Sequence, residues 1–294
     1  MTLINATIVD SSNEQENILH RCGLPKPILY YLKKNSNPRL LFKLMKISKY
    51  FQFKEFPFFV VKNLEYAGED QWIYQNGEEK LFKKFDLQTL SKSLWITNEI
   101  NIFASNKKGI SQLLSKTAVC DIKKMDFFNQ ILSMDEFKFL VSSNKIENPM
   151  FYHSHVEKDD GSIVPIDEVI KCLPNVKQFG WYMDSIMAST VTHQTAKKLI
   201  KVLNPSILTK ITLISIPDTF DFCVFADFME KNPSIDYYIS FQHTISIEYS
   251  NMLQNYVDNI IETDPTNKRQ IMIHFLQQTV ESFNLLLSRY CSSF

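Results

Sequence analysis

The sequence predicts an α/β protein in three parts: an N-terminal helical pair, a small β-containing connector, and a stack of βα units on a parallel sheet. Three observations carry this. Two apolar stripes at helical spacing flank a proline-containing break near the N-terminus. Between about residues 52 and 110 the pattern turns β-rich and irregular. From about residue 115 onward, amphipathic helices alternate with β-rich runs, and Pro174, Pro205 and Pro233 stand 31 and 28 residues apart. Periods of this size belong to stacked βα units whose neighbours complete one another's core. The expected divisions are a polar segment at 1–20, a helical module at 21–52, the connector at 53–112 and the array at 113–294.

Taken in order, residues 1–20 are polar, with Ser11, Ser12 and Asn13 before Glu14, and are expected to fray or form a short helix. The first firm helix follows Leu24-Pro25 and carries Ile28, Leu29 and Leu32. Pro25 and Pro27 suit a first turn whose N–H groups lack intrahelical partners in any case. Asn35-Ser36-Asn37-Pro38 breaks the pattern, and a second stripe runs through Leu40, Leu41, Leu44 and Ile47. In the connector, Phe56 to Val61 reads as a buried strand. Gln71 to Tyr74, Asn76-Gly77 and Lys80 to Phe82 read as a hairpin with a type I′ turn. Leu94 to Ile96 and Ile100 to Phe103 add β signals. In the array, strands are expected to start near 122, 149, 176, 211, 236 and 270, with helices between them.

Composition narrows the function. There are 32 basic and 32 acidic residues, so the net charge is zero and nothing favours nucleic acid or an anionic membrane. The six glycines are scattered singly, whereas phosphate-cradling loops and nucleophile elbows need them clustered so that backbone can approach a ligand or turn sharply. The expectation is therefore a protein without enzymatic activity, cofactor or small-molecule substrate. Five cysteines, odd in number and without a C-x-x-C pair, predict reduced thiols and a cytoplasmic or nuclear setting. Asp10, Glu14 and Glu16 argue against a signal peptide, and no apolar run approaches the roughly 18 residues of a membrane span.

The metal candidate is Tyr152-His153-Ser154-His155 with Glu157, Asp159 and Asp160 nearby. On a strand, His153 and His155 would share a face and could hold zinc with a carboxylate. The competing reading is two surface histidines before an Asp159-Asp160-Gly161 turn, and no metal ligands are assigned. Cys172 and Cys223 lie in or beside apolar helices, where a free cysteine behaves as a small hydrophobe, and His193, His243 and His274 lack the local setting of a nucleophilic pair. Asp218 and Asp221 read as helix-starting residues that offset the dipole. Tyr152, Trp181, Tyr182, Tyr237 and Tyr238 lie on or beside array strands. Those that alternation turns outward would make protein-binding anchors.

Two stretches carry a resemblance. The order Leu24-Pro25, Ile28-Leu29-x-x-Leu32, and a second helix ending Ser48-Lys49-Tyr50-Phe51 resembles the F-box, the helical module that docks on the Skp adaptor of cullin-type ubiquitin ligases. Lys26 and Pro27 stand where that family commonly has an acidic residue. Leu173-Pro174-Asn175-Val176-Lys177-Gln178-Phe179 resembles the helix-to-strand junction of the longer leucine-rich repeats, over about residues 115–290, without the full L-x-x-L-x-L-x-x-N pattern. Together they look like an F-box substrate receptor of the diverged type expanded in nematodes, with an irregular leucine-rich-repeat-like solenoid. The resemblance implies that Leu24, Pro25, Ile28, Leu29, Leu32, Leu40, Leu44, Ile47 and Phe51 contact a Skp-like subunit, and that the array recruits an unknown target protein for ubiquitylation. Three alternatives stay open: an ordinary α/β sheet, a stand-alone interaction scaffold, and a metal-dependent hydrolase using His153 and His155.

Overall fold

The computed structural model describes residues 24–36, 38–47, 51, 57–68, 71–75, 82–103, 109–263 and 270–291; the expected 1–20 segment and the Asn76-Gly77 turn lie outside them. The chain divides into two compact units. One runs up to Phe59 and includes Lys92–Leu94; the other comprises Val60–Ser91 and Trp95 onward.

The first unit holds the helical pair, α1 (Lys26–Asn35) and α2 (Pro38–Ile47). Pro25 precedes α1 in extended backbone, and its carbonyl accepts from Ile28 N–H at 3.0 Å and Leu29 N–H at 3.1 Å, which starts the helix. Lys33 and Lys34 occupy the last turn, where cations meet the negative end of the helix dipole. Leu29, Leu41 and Phe51 are buried together, with Leu32, Leu44 and Met45 packed against them. The pair therefore has a core of its own.

The second unit is built on an 11-stranded sheet. β1 (Phe58–Gly68), β2 (Gln71–Gln75) and β3 (Lys83–Asp86) form its antiparallel margin, where Tyr66 meets the buried Trp72 edge-on at 5.1 Å. The described second arm of the hairpin is Lys83–Asp86; of the expected Lys80 to Phe82, Lys80 and Leu81 lie outside the described residues. β4 (Ser93–Phe103) lies between this margin and the array, so the expected connector continues the array's own sheet.

Beyond β4 come α3 (Gly109–Ser115), β5 (Thr117–Cys120), β6 (Lys124–Phe128), β7 (Ile131–Ser133), α4 (Met134–Val141), β8 (Asn148–Tyr152), β9 (His155–Glu157), α5 (Ile166–Lys171) and β10 (Gln178–Tyr182). The chain continues through α6 (Ser185–Ala188), α7 (His193–Val202), β11 (Lys210–Ile216), α8 (Phe222–Lys231), β12 (Asp236–Phe241), α9 (Ile247–Thr263), β13 (Ile271–His274) and α10 (Val280–Cys291). β4, β6, β8, β10, β11, β12 and β13 lie side by side in chain order, each parallel to the next. The six array strands start at 124, 148, 178, 210, 236 and 271, each within two residues of the position the sequence predicts.

The register explains the packing. Ile102, Phe127, Phe151, Trp181, Leu213, Ile239 and Ile273 form one continuous row across seven strands, and none exceeds 3% exposure. Burying each such side chain stabilises the fold by roughly 1.5–3 kcal/mol. The intervening helices pack on their neighbours, α5 on α7, α7 on α8, and α9 on α10. Side chains cap α4 and α8: Ser133 and Glu136 form a reciprocal capping box on α4, and Asp221 caps α8 through Val224 N–H at 3.2 Å.

Successive units are also tied by a repeated main-chain fork. Lys123 O accepts from the N–H groups of Glu147 and Asn148, Glu147 O from Lys177 and Gln178, and Lys177 O from Thr209 and Lys210, at 2.6–3.1 Å. Side chains add bonds over the same interval, Asn175 Nδ2 to Asn144 O at 2.6 Å and Thr219 Oγ1 to Val191 O at 2.9 Å. Among the described residues no helix is long and apolar enough to cross a membrane.

Neighbouring phenylalanines on β6 test the assignment of faces. Phe127→Ala should lower the unfolding free energy by about 3–5 kcal/mol, and Phe128→Ala by roughly 1 kcal/mol or less, in urea titrations followed by circular dichroism.

Candidate functional site

The same alternation that buries one row turns another to the opposite face. Phe103, Phe128, Tyr152, Tyr182 and Ile214 stand in register on β4, β6, β8, β10 and β11. Phe103 is 52% exposed and Phe128 36%, large apolar groups left uncovered. Phe128 leans toward Tyr152 with ring centroids 6.4 Å apart, and Tyr152 stacks on Tyr182 at 4.2 Å. This aromatic row is the candidate binding surface.

One position inward runs Asn101, Asp126, Met150, Gly180, Thr212, Tyr238 and Met272. Gly180 sits in a central strand because the Met150 side chain lies where a Cβ at 180 would project. At the far end α10 occupies this face: Tyr290 meets Tyr238 at 5.7 Å, Lys210 Nζ lies 5.6 Å from the Tyr290 ring centre, and Phe283 meets His274 at 5.2 Å. The accessible aromatic stretch is thus the part on β4 to β10.

Electrostatics are concentrated at the β4–β6 end. Burial, reinforced by the Glu99 carboxylate and opposed by Lys124, pushes the Asp126 carboxyl up to about 6. Burial and the neighbouring Tyr182 and Asp126 push the Tyr152 hydroxyl up to about 12, so it stays neutral at physiological pH. Asn101 Nδ2 donates to Glu99 Oε1 at 3.0 Å and orients that carboxylate.

The sequence-predicted residues divide. Tyr152 and Tyr182 are brought together on the open face, and Tyr238 shares that face but packs on Tyr290. Trp181 and Tyr237 are corrections: they are 3% and 0% exposed and point into the core, as period-two alternation dictates for the neighbours of outward tyrosines. Phe103, Phe128, Glu99 and Asp126 were not singled out from sequence, although alternation through Lys124–Phe128 contained the signal. On the helical pair, Leu24 and Ile28 are each 45% exposed, Leu40 is 41% exposed, and Pro25 is exposed. Leu32 and Leu44 are half-buried, and the Ile47 side chain lies outside the described residues. Leu29 and Phe51 are corrections: at 1% and 2% exposure they build the pair's core and cannot touch a partner. Tyr30 and Tyr31, 62% and 64% exposed, widen the apolar surface of α1 instead.

The strand geometry expected for zinc ligation by His153 and His155 is not formed. His153 follows β8 in left-handed backbone, φ +50°, and its N–H donates to Tyr182 O at 2.8 Å. His155 lies on β9, 4% exposed, with Nε2 3.0 Å from Glu157 Oε1. The two imidazoles therefore do not share a strand face. Asp160 holds its turn through Ser162 N–H at 2.9 Å, and among the described residues no three potential ligands cluster. Cys172 Sγ lies 3.6 Å from its own helix carbonyl, Glu168 O. A separate cleft of about 320 Å³ near α5 and α7 is lined mainly by Ile170, Leu173, Val176, Leu203 and Leu208, with no convergent polar set for chemistry.

The Asp126 carboxyl makes stability pH-dependent with a definite sign. Its folded-state value lies above the ordinary 3.8, so between about pH 4 and 6 the folded chain binds the extra proton. This contribution to stability is greatest at low pH and falls as pH rises to about 6. Asp126→Asn should flatten that component and raise the melting temperature above pH 6, measured by thermal denaturation from pH 5 to 8. Comparison of the chain with protein-family models and with curated proteins finds no match.

Proposed function

We propose that the protein is a non-enzymatic adaptor of two parts: the helical pair docks a Skp-like subunit of a cullin-type ubiquitin ligase, and the βα array, an irregular solenoid, binds a target protein through its open sheet face. The observation that carries this reading is that α1 has two finished surfaces. Its inner side closes a core around Leu29, Leu41 and Phe51, while Leu24, Ile28, Tyr30 and Tyr31 stand exposed. Apolar side chains spent on neither core cost solubility unless a partner covers them. The sheet supports the second part, since parallel strands in chain order leave one face free of crossover helices and that face carries an aromatic row.

A second reading, a stand-alone scaffold, is favoured by Leu29 and Phe51. Leu29 matches an F-box consensus position, Phe51 closes the F-box-like segment, and both are consumed by the pair's own core. The two readings part on one interaction.

Leu24→Ala with Ile28→Ala changes only exposed positions of the pair. The double variant should weaken binding to a purified Skp-like subunit by at least about tenfold in calorimetry, with an unchanged circular dichroism spectrum. Equal binding by both forms contradicts the assigned surface. Absence of binding by the unaltered chain favours the scaffold.

A further inference from the structure

We propose that the open face recognises an arginine side chain presented by the bound protein, with the guanidinium held by Asp126 and Glu99 beside the aromatic row of Phe128, Tyr152 and Tyr182. This rests on the open face being the target-binding surface, and it specifies the chemistry of what binds there.

The first ground is a half-buried carboxylate. The Asp126 carboxylate is half-buried on the outer side of β6, and among the described residues no side chain or backbone N–H hydrogen-bonds or ion-pairs with it. A partly desolvated carboxylate without a donor is costly, and a ligand that supplies one recovers that cost. The groups that bear on it are Glu99 from β4, Lys124 from its own strand and the neutral Tyr152 hydroxyl from β8. Two carboxylates and one ammonium leave a local negative charge, which disfavours acidic segments and nucleic acid.

The second ground is shape. Asp126 and Phe128 project from the same face of β6, and Phe128, Tyr152 and Tyr182 extend the apolar wall across the next two strands. A guanidinium is planar, donates to two carboxylates at once and stacks on aromatic faces, whereas an ammonium is a compact, strongly hydrated point charge. The combination of carboxylates and flat rings selects arginine over lysine.

The test uses the full chain and follows the Met150 methyl resonance, which lies between Asp126 and Gly180 in register. The probes are acetylated, amidated pentapeptides with arginine, lysine, citrulline, leucine or glutamate between glycine pairs. The arginine peptide should shift Met150 saturably and bind at least about tenfold more tightly than the citrulline peptide, its neutral isostere. Asp126→Asn should remove that advantage, and the advantage should shrink as pH falls through about 6, where Asp126 takes up a proton. Equal binding of arginine and citrulline peptides, or an arginine advantage unchanged in Asp126→Asn, would overturn the proposal. If the leucine peptide shifts Met150 as strongly as arginine, the open face stays a binding surface and the arginine assignment fails. If no peptide shifts Met150, both fail. Free arginine amide binding as tightly as the peptide would reassign the site to a small guanidinium compound and overturn the protein-borne part.

Discussion

The parallel register of seven strands is the constraint on which the second unit depends. With Ile102, Phe127, Phe151, Trp181, Leu213, Ile239 and Ile273 in one row, a slip of one residue in any strand would turn its core side chain to solvent and an outward one into the core. The forks at Lys123, Glu147 and Lys177 pin the entries of β8, β10 and β11 to the preceding strands, so there hydrophobic pattern and main-chain hydrogen bonding specify the same register. No single βα unit can bury its own apolar face; each is completed by the next.

That constraint also makes the open face. Crossover segments that pack helices against one side leave the outward residues to be chosen for something besides the core, within the limits set by neighbours such as Met150 over Gly180. α10 takes up the β13 end of the face through Tyr290 and Phe283, and the β3 margin presents exposed Lys83 and Lys84, charges that discourage edge-to-edge pairing. Between them lies the stretch with the exposed aromatics and the half-buried Asp126.

Much of this was legible in the sequence, for a physical reason. Helix–breaker–strand punctuation at Pro174, Pro205 and Pro233 reports main-chain chemistry, and it located the strand starts to within two residues. The direction of side chains was less legible, because Trp181-Tyr182 and Tyr237-Tyr238 are adjacent aromatics whose fates differ entirely and only the register decides which is buried. β5, β7, β9 and α6 escaped because segments of three or four residues carry no readable period. The His153 and His155 pair misled because a single left-handed residue at 153 ends the strand that would have aligned them. In the helical pair, both stripes were visible, but Leu29 and Phe51 could not be told from their exposed neighbours without the fold.

The two-part account turns on separation of labour: docking on α1 and α2, recognition on β4 to β10. Hydrogen–deuterium exchange on the chain with and without a saturating purified Skp-like subunit tests this most directly. The account predicts added protection confined to residues 24–47, with the amides of 99–103, 124–128, 148–152 and 178–182 unchanged. Protection appearing on those strands while the helical pair exchanges as before would contradict it.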